Sequence, residues 1–324
     1  MLHILGLGHF HPENTLDNAF FESLDIGTDE AWILSRVGIH SRRTVLPLDY
    51  LRATKNADPR AAEEAAEWSN AQTGAKAAAL AIERAGIQPS DVGMVVAGGC
   101  SPQLCIPAEA STIAAELGLE VPAFDMHAAC STFGLHLHTL AQMGEALPDY
   151  VLCVAVENNT RVVDYRDRAT SVLWGDGTAA AVVSSKHPGR LALRASTFGG
   201  APSGAMDVVI PKNGFFRQNG AKVQKFAIKR MSQLLGECQA AAPGPVTYVG
   251  HQANLTMLHS VARRQAVPEG RHWFNIDRFG NQGSAGAPAV VSQRWEELSA
   301  GDHLGVIVVG SGLSWSKLLL EVVA

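Results

Sequence analysis

Three features of the sequence predict an α/β fold with mainly buried strands, arranged as two halves of similar order. Strand and helix signals alternate along the chain. The strand signals are short unbroken apolar runs, such as Val151–Val156 and Thr178–Val183, which suit strands covered on both faces. The rhythm of residues 1–187 then returns over residues 188–324. No Pro/Gly/Ser linker separates the halves, so they are expected to pack as one body.

The elements follow in order. His3–Leu7 reads as a strand broken at Gly8. Pro59 opens an Ala-rich helix that Gly86 and Pro89 close. Val92–Ala97 is a strand ending in Gly98-Gly99, and Pro107 opens a helix to Leu117. Ala123–Met126 is a strand, and a helix runs from Cys130 to Met143. Val151–Val156 and Thr178–Val183 are further strands. In the second half Leu191–Phe198 is a strand, Lys222–Gln239 a helix, and Thr247–Gly250 a strand. Asn254–Gln265 is a helix, with a strand near Trp273. Ser284–Leu298 is a helix, and Leu304–Val309 and Lys317–Val323 close as strands.

Composition narrows the class. The chain has 324 residues, enough for about two domains or one large body. Area scaling gives about 12,900 Å² folded against about 50,000 Å² unfolded, so a large core needs no staples. Hydrophobic residues make up 47% and charged residues 18%, which excludes a disordered chain. Lys and Arg number 26 against 31 Asp and Glu, a net charge of −5 that argues against a nucleic-acid binder. Five cysteines, an odd number, argue against a disulfide framework and for a reducing, cytoplasmic setting. Neither a signal peptide nor a membrane span is expected. Cys100 and Cys105 lack the paired motif and further ligands of a zinc site, so no metal centre is expected.

Chemistry concentrates in four places. Cys130, in PAFDMHAACSTFGL, stands where a strand passes through a small-residue turn into a helix. Helix N-terminal N–H groups there would favour a thiolate, although buried free cysteines are commonly core residues. His251, in YVGHQANLTML, ends an apolar strand and would face the crevice beyond strand ends, or serve structurally. Asn281 lies in the Gly-flanked loop DRFGNQGSAGAP, and the terminal VVGSGLSW turn could offer backbone N–H groups to an oxyanion. GLG at 6–8 and WGDGTAA lack a dinucleotide-site context. His127 lies close to Cys130 with an open role.

Taken together, DEAWILSRVGIHSRR, FDMHAACSTF, DRATSVLWGDGTAAAVV, GHQAN, DRFGNQGSAGAP and GSGLSW resemble the ketosynthase III family over nearly the whole chain. The resemblance implies a thiolase fold, two pseudo-repeated α/β halves in a five-layered αβαβα arrangement, divided at 187/188. It implies a Cys–His–Asn triad of Cys130, His251 and Asn281, with the backbone N–H groups of Cys130 and Ser311 as oxyanion donors. An acyl thioester would load Cys130. Claisen condensation with a malonyl- or 3-oxoacyl-type thioester would follow, as in fatty acid or polyketide biosynthesis. The alternatives are acyl transfer to a hydroxyl or amine, joining of two carrier-bound chains, or a non-catalytic partner subunit.

The same resemblance places Trp32, Arg36, Arg168 and Asn254 along the CoA or pantetheine path. It places Lys225, Arg263 and Arg264 at the acyl-carrier-protein docking face, and Ile106 at the acyl pocket, reaching in from the second subunit of a homodimer. CoA or phosphopantetheine thioesters would be substrates, with no tightly bound cofactor. Departures from the family pattern are Thr256 where arginine is usual, Ser311 in the Gly-rich turn, Ile106 in place of an aromatic residue, and His127 where small residues are common. These favour a specialised, secondary-metabolism relative. A degradative thiolase would need a second cysteine near the C-terminus, and the last one here is Cys238.

Overall fold

The computed structural model describes residues 1–323. Ten strands carry the architecture: β1 His3–Phe10, β2 Val92–Gly98, β3 Ala123–Asp125, β4 Tyr150–Glu157, β5 Gly177–Ser184, β6 Leu191–Gly200, β7 Val246–Gly250, β8 His272–Trp273, β9 His303–Gly310 and β10 Ser314–Val322. They run in the spatial order β8-β7-β9-β10-β6-β1-β5-β4-β2-β3. Among the described residues, the two sets of five are hydrogen-bonded to each other through β1 and β6 alone, where His3 and Ile4 pair with Ala192 and Leu191. Each set has the same order and the same directions. From the joint outward, β1-β5-β4 pair antiparallel and β4-β2-β3 parallel. Likewise β6-β10-β9 pair antiparallel and β9-β7-β8 parallel. The expected 187/188 division falls between Ser184 and Leu191.

Seven helices complete the layers: α1 Glu30–Val37, α2 Asn70–Ala85, α3 Glu109–Glu116, α4 Thr132–Met143, α5 Gly220–Ala241, α6 Leu255–Arg264 and α7 Gly286–Gln293. Helices α2 and α3 cover the outer face of the first sheet. Helices α4 and α7 each touch strands of both sheets and form the middle layer, while α5 covers the second sheet and carries α6. The result is the five-layered αβαβα stack. Its exposed area is 12,590 Å², close to the scaling value. Strands β4, β5, β7 and β9 are buried along nearly their whole length, as their unbroken apolar runs require. Gly6 and Gly8 let β1 lie directly against α2, because a Cβ there would stand 2.1 Å from the Ala81 carbonyl oxygen and 2.0 Å from that of Ala77. The Ala-rich helix and the glycine strand are complementary surfaces.

Several boundaries differ from expectation. The helix expected from Pro59 to Gly86 is two: Pro59–Ala65, then α2, which starts with a Ser69–Gln72 capping box and ends at left-handed Gly86. Glu67 N–H bonds to the Val45 carbonyl instead of continuing the first helix. Helix α3 begins at Glu109, capped after Ala108, and not at Pro107. Helix α7 is shorter than Ser284–Leu298, ending at Gln293 before a single turn at 295–297. The last strand begins three residues earlier than expected, at Ser314. Residues 14–54 carry elements the sequence did not disclose. A two-strand hairpin pairs Asn14–Asp17 with Ser41–Thr44, and short helices surround it, among them α1. These pieces are too short to hold alone. They persist because Leu16, Phe21, Ile33 and Ile39 are buried in a core cluster drawn from both halves, including Tyr165 and Val172 of the first and Met257 and Val261 of the second.

Candidate active site

Both halves deliver their chemistry from the carboxyl ends of parallel strands. In the first half β3 leads through residues 126–129 to Cys130, which sits in a tight turn at 129–131 just before α4. Ala129 holds φ at +47°, a left-handed conformation that a small residue tolerates best. Thr132 pins the turn, accepting from Ala128 N–H (2.9 Å) and donating to the Ala129 carbonyl (2.6 Å). One turn along α4, buried His136 donates from Nε2 to the Met126 carbonyl at 2.8 Å. Burial pushes its pKa down to about 4, so the ring is neutral and serves as a strut beneath the turn. His138, on another face of α4, bonds Ser196 Oγ at 2.9 Å.

The second half supplies the partners. His251 follows β7 and is buried. Gln252 behind it is fully buried. It donates to the Gly250 carbonyl (2.7 Å) and accepts from Asn275 and Ile276 N–H (3.1 and 3.2 Å), which locks the strand end. Asn281 lies in the loop before α7. Its N–H bonds to the Leu173 carbonyl, and its carbonyl accepts from Gly175 N–H. Its Oδ1 accepts from Gly283 N–H at 3.0 Å, and among the described residues its Nδ2 has no hydrogen-bond partner. Ser311 follows β9. Preceding it, Gly310 closes on the Cys130 turn so tightly that a Cβ there would stand 3.1 Å from Cys130 N and 3.0 Å from Ser131 N.

Cys130, His251, Asn281 and Ser311 all line one cavity of about 560 Å³. Its walls continue outward over Trp174, Phe216 and Met257 to Trp32, Arg36, Arg168 and Asn254. Arg36 and Arg168 are exposed while Cys130 is buried, so the cavity leads from the surface to the sulfur. The Arg168 guanidinium lies 5.1 Å and that of Arg36 5.9 Å from the Trp32 ring centre. The Asn254 side chain is already engaged: it caps α6 through Met257 N–H, accepts from Thr256 Oγ1, and donates to the Arg36 carbonyl. Ser311 Oγ donates to the Val208 carbonyl at 2.6 Å.

A second cavity of about 250 Å³ meets Cys130 from the other side, lined by Cys100, His127, Ala129, Val208, Ile210 and Phe216 among others. His127 therefore belongs to the site. Cys100, whose loop the sequence left without a role, lies with its Sγ 3.7 Å from Cys130 Sγ. It lies two residues beyond β2, the strand that occupies in the first half the place of β7, which His251 directly follows. The Cys100 thiol beside it, together with His251, holds Cys130 well below the ordinary thiol range against the effect of burial. Cys100 is correspondingly pushed up, so Cys130 is the sulfur that ionises. A second thiol does sit at this centre, though not near the C-terminus. Beneath both sulfurs lies fully buried Glu157, a residue the sequence reading missed. Its signal was an acid closing the apolar run VLCVAV.

The remaining expected residues lie elsewhere. Lys225 on α5 shares an exposed face with Lys222 and Lys229, and Arg263 and Arg264 are exposed at the end of α6. Ile106 is 85% exposed, and within the chain it lines neither cavity at Cys130. Cys153 and Cys238 are buried away from the site. Among the described residues, no group of three or more His, Cys, Asp or Glu side chains is placed to hold a metal ion. No helix among them is long and apolar enough to cross a membrane.

This stack, with its cysteine elbow facing a histidine and an asparagine, defines a thiolase-fold condensing enzyme. Residues 124–200 match the family described as 3-oxoacyl-[acyl-carrier-protein] synthase III, and residues 246–322 match its C-terminal domain. The beta-ketoacyl-[acyl-carrier-protein] synthase III of Staphylococcus saprophyticus is 30% identical over 328 residues, 98% of either chain. The crystal structure of 3-oxoacyl-[acyl-carrier-protein] synthase III from Aquifex aeolicus superposes with a TM-score of 0.87 at 26% identity, covering 99% of this chain and 100% of that one. The priming beta-ketosynthase of the R1128 polyketide pathway gives 0.84 at 27% identity, covering 100% and 96%. The chain belongs to the 3-oxoacyl-[acyl-carrier-protein] synthase III family and is a ketosynthase III-type condensing enzyme.

Proposed function

We propose that Cys130 is the nucleophile that takes an acyl group from a CoA or carrier-bound thioester, with His251 and Asn281 serving the condensation that follows. One observation carries this reading: all three residues line a single cavity that leads from exposed arginines to a buried, acidified sulfur. The Cys130 thiolate attacks the thioester carbonyl. The N–H groups of Cys130 and Ser311 receive the oxyanion, and collapse expels the thiolate of the donor. A malonyl-type thioester then loses CO₂. His251 and the Nδ2 of Asn281, whose Oδ1 is held by Gly283 N–H, donate to the enolate oxygen, where charge develops only near the transition state. The enolate carbon attacks the acyl–Cys130 carbonyl. Cys130 leaves as thiolate, and a 3-oxoacyl thioester departs.

Adenine would stack on Trp32 while Arg36 and Arg168 pair with phosphates. Asn254 would meet pantetheine through its backbone, since its side chain is engaged. Lys225, Arg263 and Arg264 would hold the acidic carrier protein locally on a chain that is acidic overall. The acyl group would occupy the smaller cavity. Strand β3 is a sheet edge with Phe124 and nearby Ile106 exposed, which supports a homodimer in which Ile106 enters the pocket of the second copy.

Intact-protein mass spectrometry after incubation with a panel of acyl thioesters tests the reading, with Cys130→Ala as control. The expected result is an acyl mass gain lost in the variant, and a 3-oxoacyl product once a malonyl thioester is added. Acylation that survives in Cys130→Ala overturns the assignment of the nucleophile. Acyl-Cys130 that never condenses, but transfers to an added alcohol or amine, favours the acyltransferase alternative.

A further inference from the structure

Glu157 ends β4 of the first half, fully buried, and each of the four hydrogen bonds at its carboxylate is donated to it. Oε2 accepts from Cys100 N–H (2.9 Å) and Asn159 Nδ2 (2.6 Å). Oε1 accepts from Ser284 N–H (2.7 Å) and Ser284 Oγ (2.5 Å), across the boundary between the halves. No ion pair reaches it among the described residues. Gly283 lies flat on the carboxyl group, with φ at +51° and no room for a side chain, since a Cβ would stand 2.5 Å from Glu157 Cδ. The N–H of Gly283 is the group that holds Asn281 Oδ1. A single carboxylate thus fixes, on one side, the loop bearing the thiol behind Cys130. On the other it fixes the loop that aims the Asn281 amide.

We propose that Glu157 is a positioning residue for the condensation step, holding the Gly283–Ser284 backbone so that Asn281 Nδ2 stays directed into the cavity. The inference rests on the reading of Asn281 as an enolate donor. A carboxylate is suited to the task because it only accepts. Glutamine would present its NH₂ to one pair of these donors and could satisfy only the other pair. Burial and the neighbouring Cys130 charge push the Glu157 pKa up to about 7, and the Ser284 and Cys100 donors oppose that shift.

The test separates the half-reactions in Glu157→Gln, Glu157→Ala and Ser284→Ala. Acyl-enzyme formation is followed by intact mass, and condensation by product release from preformed acyl-enzyme. A catalytic group displaced by about 1 Å costs on the order of 100-fold, so Glu157→Ala is expected to lose about that factor in condensation. Glu157→Gln and Ser284→Ala, each keeping part of the network, are expected to lose roughly 10-fold. In Ser284→Ala acylation should stay within about threefold, because the Cys130 turn is pinned separately by Thr132 and His136. The Glu157 variants also release the Cys100 loop and are read on condensation from preformed acyl-enzyme. The decisive arm is a double-mutant cycle. In an Asn281→Ala background the Glu157 and Ser284 substitutions should cost nothing further, whereas a general structural defect would persist. Equal losses in acylation and condensation in Ser284→Ala, or additive losses in that background, overturn the proposal. If Glu157 variants do not fold, Ser284→Ala alone decides, and wild-type condensation there overturns it too. If Asn281→Ala itself condenses normally, the functional reading has failed and the proposal falls with it. A crippled Asn281→Ala beside unaffected Glu157 and Ser284 variants sinks only the present inference.

Discussion

Gly310→Ala tests whether close contact between the halves builds the oxyanion site. Gly310 has an ordinary strand backbone, so a Cβ is excluded there by space and not by dihedral angle. The new carbon would meet Ser131 N at 3.0 Å, and Cys130 N and Ser131 Oγ at 3.1 Å, so something must give by a few tenths of an ångström. Strand β9 cannot easily be that something, because it is paired with β7 on one side and β10 on the other and is buried throughout. The turn at 129–131 will move. Overpacking of this kind costs about 1–3 kcal/mol of stability. The catalytic loss is set by the oxyanion donors. Removing one donor outright costs about 10²–10³ in rate, and a partial displacement is expected to cost about 10- to 100-fold in acylation. The assay is the rate of acyl-enzyme formation by intact mass, with iodoacetamide alkylation of Cys130 in parallel. Alkylation needs the thiolate but no oxyanion hole, and should change by less than about threefold. A folded Gly310→Ala that acylates at the wild-type rate would refute the reasoning, as would a variant whose alkylation falls as far as its acylation.

Further expectations follow from the same geometry. Asn281→Ala should acylate normally and lose about 10²-fold or more in condensation, and near-intact turnover would show that condensation is the wrong reaction. Trp32→Ala and Arg168→Ala should raise KM for acyl-CoA about tenfold with little change in kcat, and leave carrier-bound donors, which have no adenine, unaffected. Lys225→Glu combined with Arg263→Glu should do the reverse, raising KM for carrier-bound substrate and sparing CoA substrates. Acid should destabilise the fold. The pKa of His136 is held at about 4, so below pH 6.5 the unfolded chain binds a proton that the folded chain refuses. Stability therefore falls as pH drops from about 6.5 to 4, by about 2 kcal/mol from this residue at pH 5. His3, His9, His11 and His272 are lowered in the same direction by burial. Glu157 and Asp176, raised by burial to about 7 and about 6, and Glu63 and Glu109, also raised by burial, oppose the trend because their cost is relieved on acidification. The histidines outnumber them, so the melting temperature should be lower at pH 5 than at pH 7. His136→Gln should show a shallower decline, and an unchanged slope would contradict this account.

Much was legible in the sequence because it is encoded locally. Apolar runs such as VLCVAV specify strands buried on both faces whatever they pack against. Small residues around Cys130 permit a turn that few others could, and GHQAN and DRFGNQG mark their loops by composition. The α/β class, the two halves and the three residues of the proposed triad could be read from such patterns and from the resemblance they support. Other features depend on contacts between residues far apart in the chain, and no local window contains them. Cys100 looked like an unremarkable loop cysteine until β2 and β3 placed it 3.7 Å from Cys130. Glu157 looked like the end of a strand until the packing of the two halves brought Ser284, 127 positions away, onto its carboxylate. The hairpin and short helices of residues 14–54 have weak intrinsic signals and exist because a core cluster drawn from both halves buries their apolar residues. Asn254 reads as a ligand contact by its motif, yet its side chain caps a helix and holds the Arg36 carbonyl. Local sequence set which elements form. Burial and long-range hydrogen bonding decided which side chains meet, since the free energy of those contacts is gained only once distant segments have been brought together.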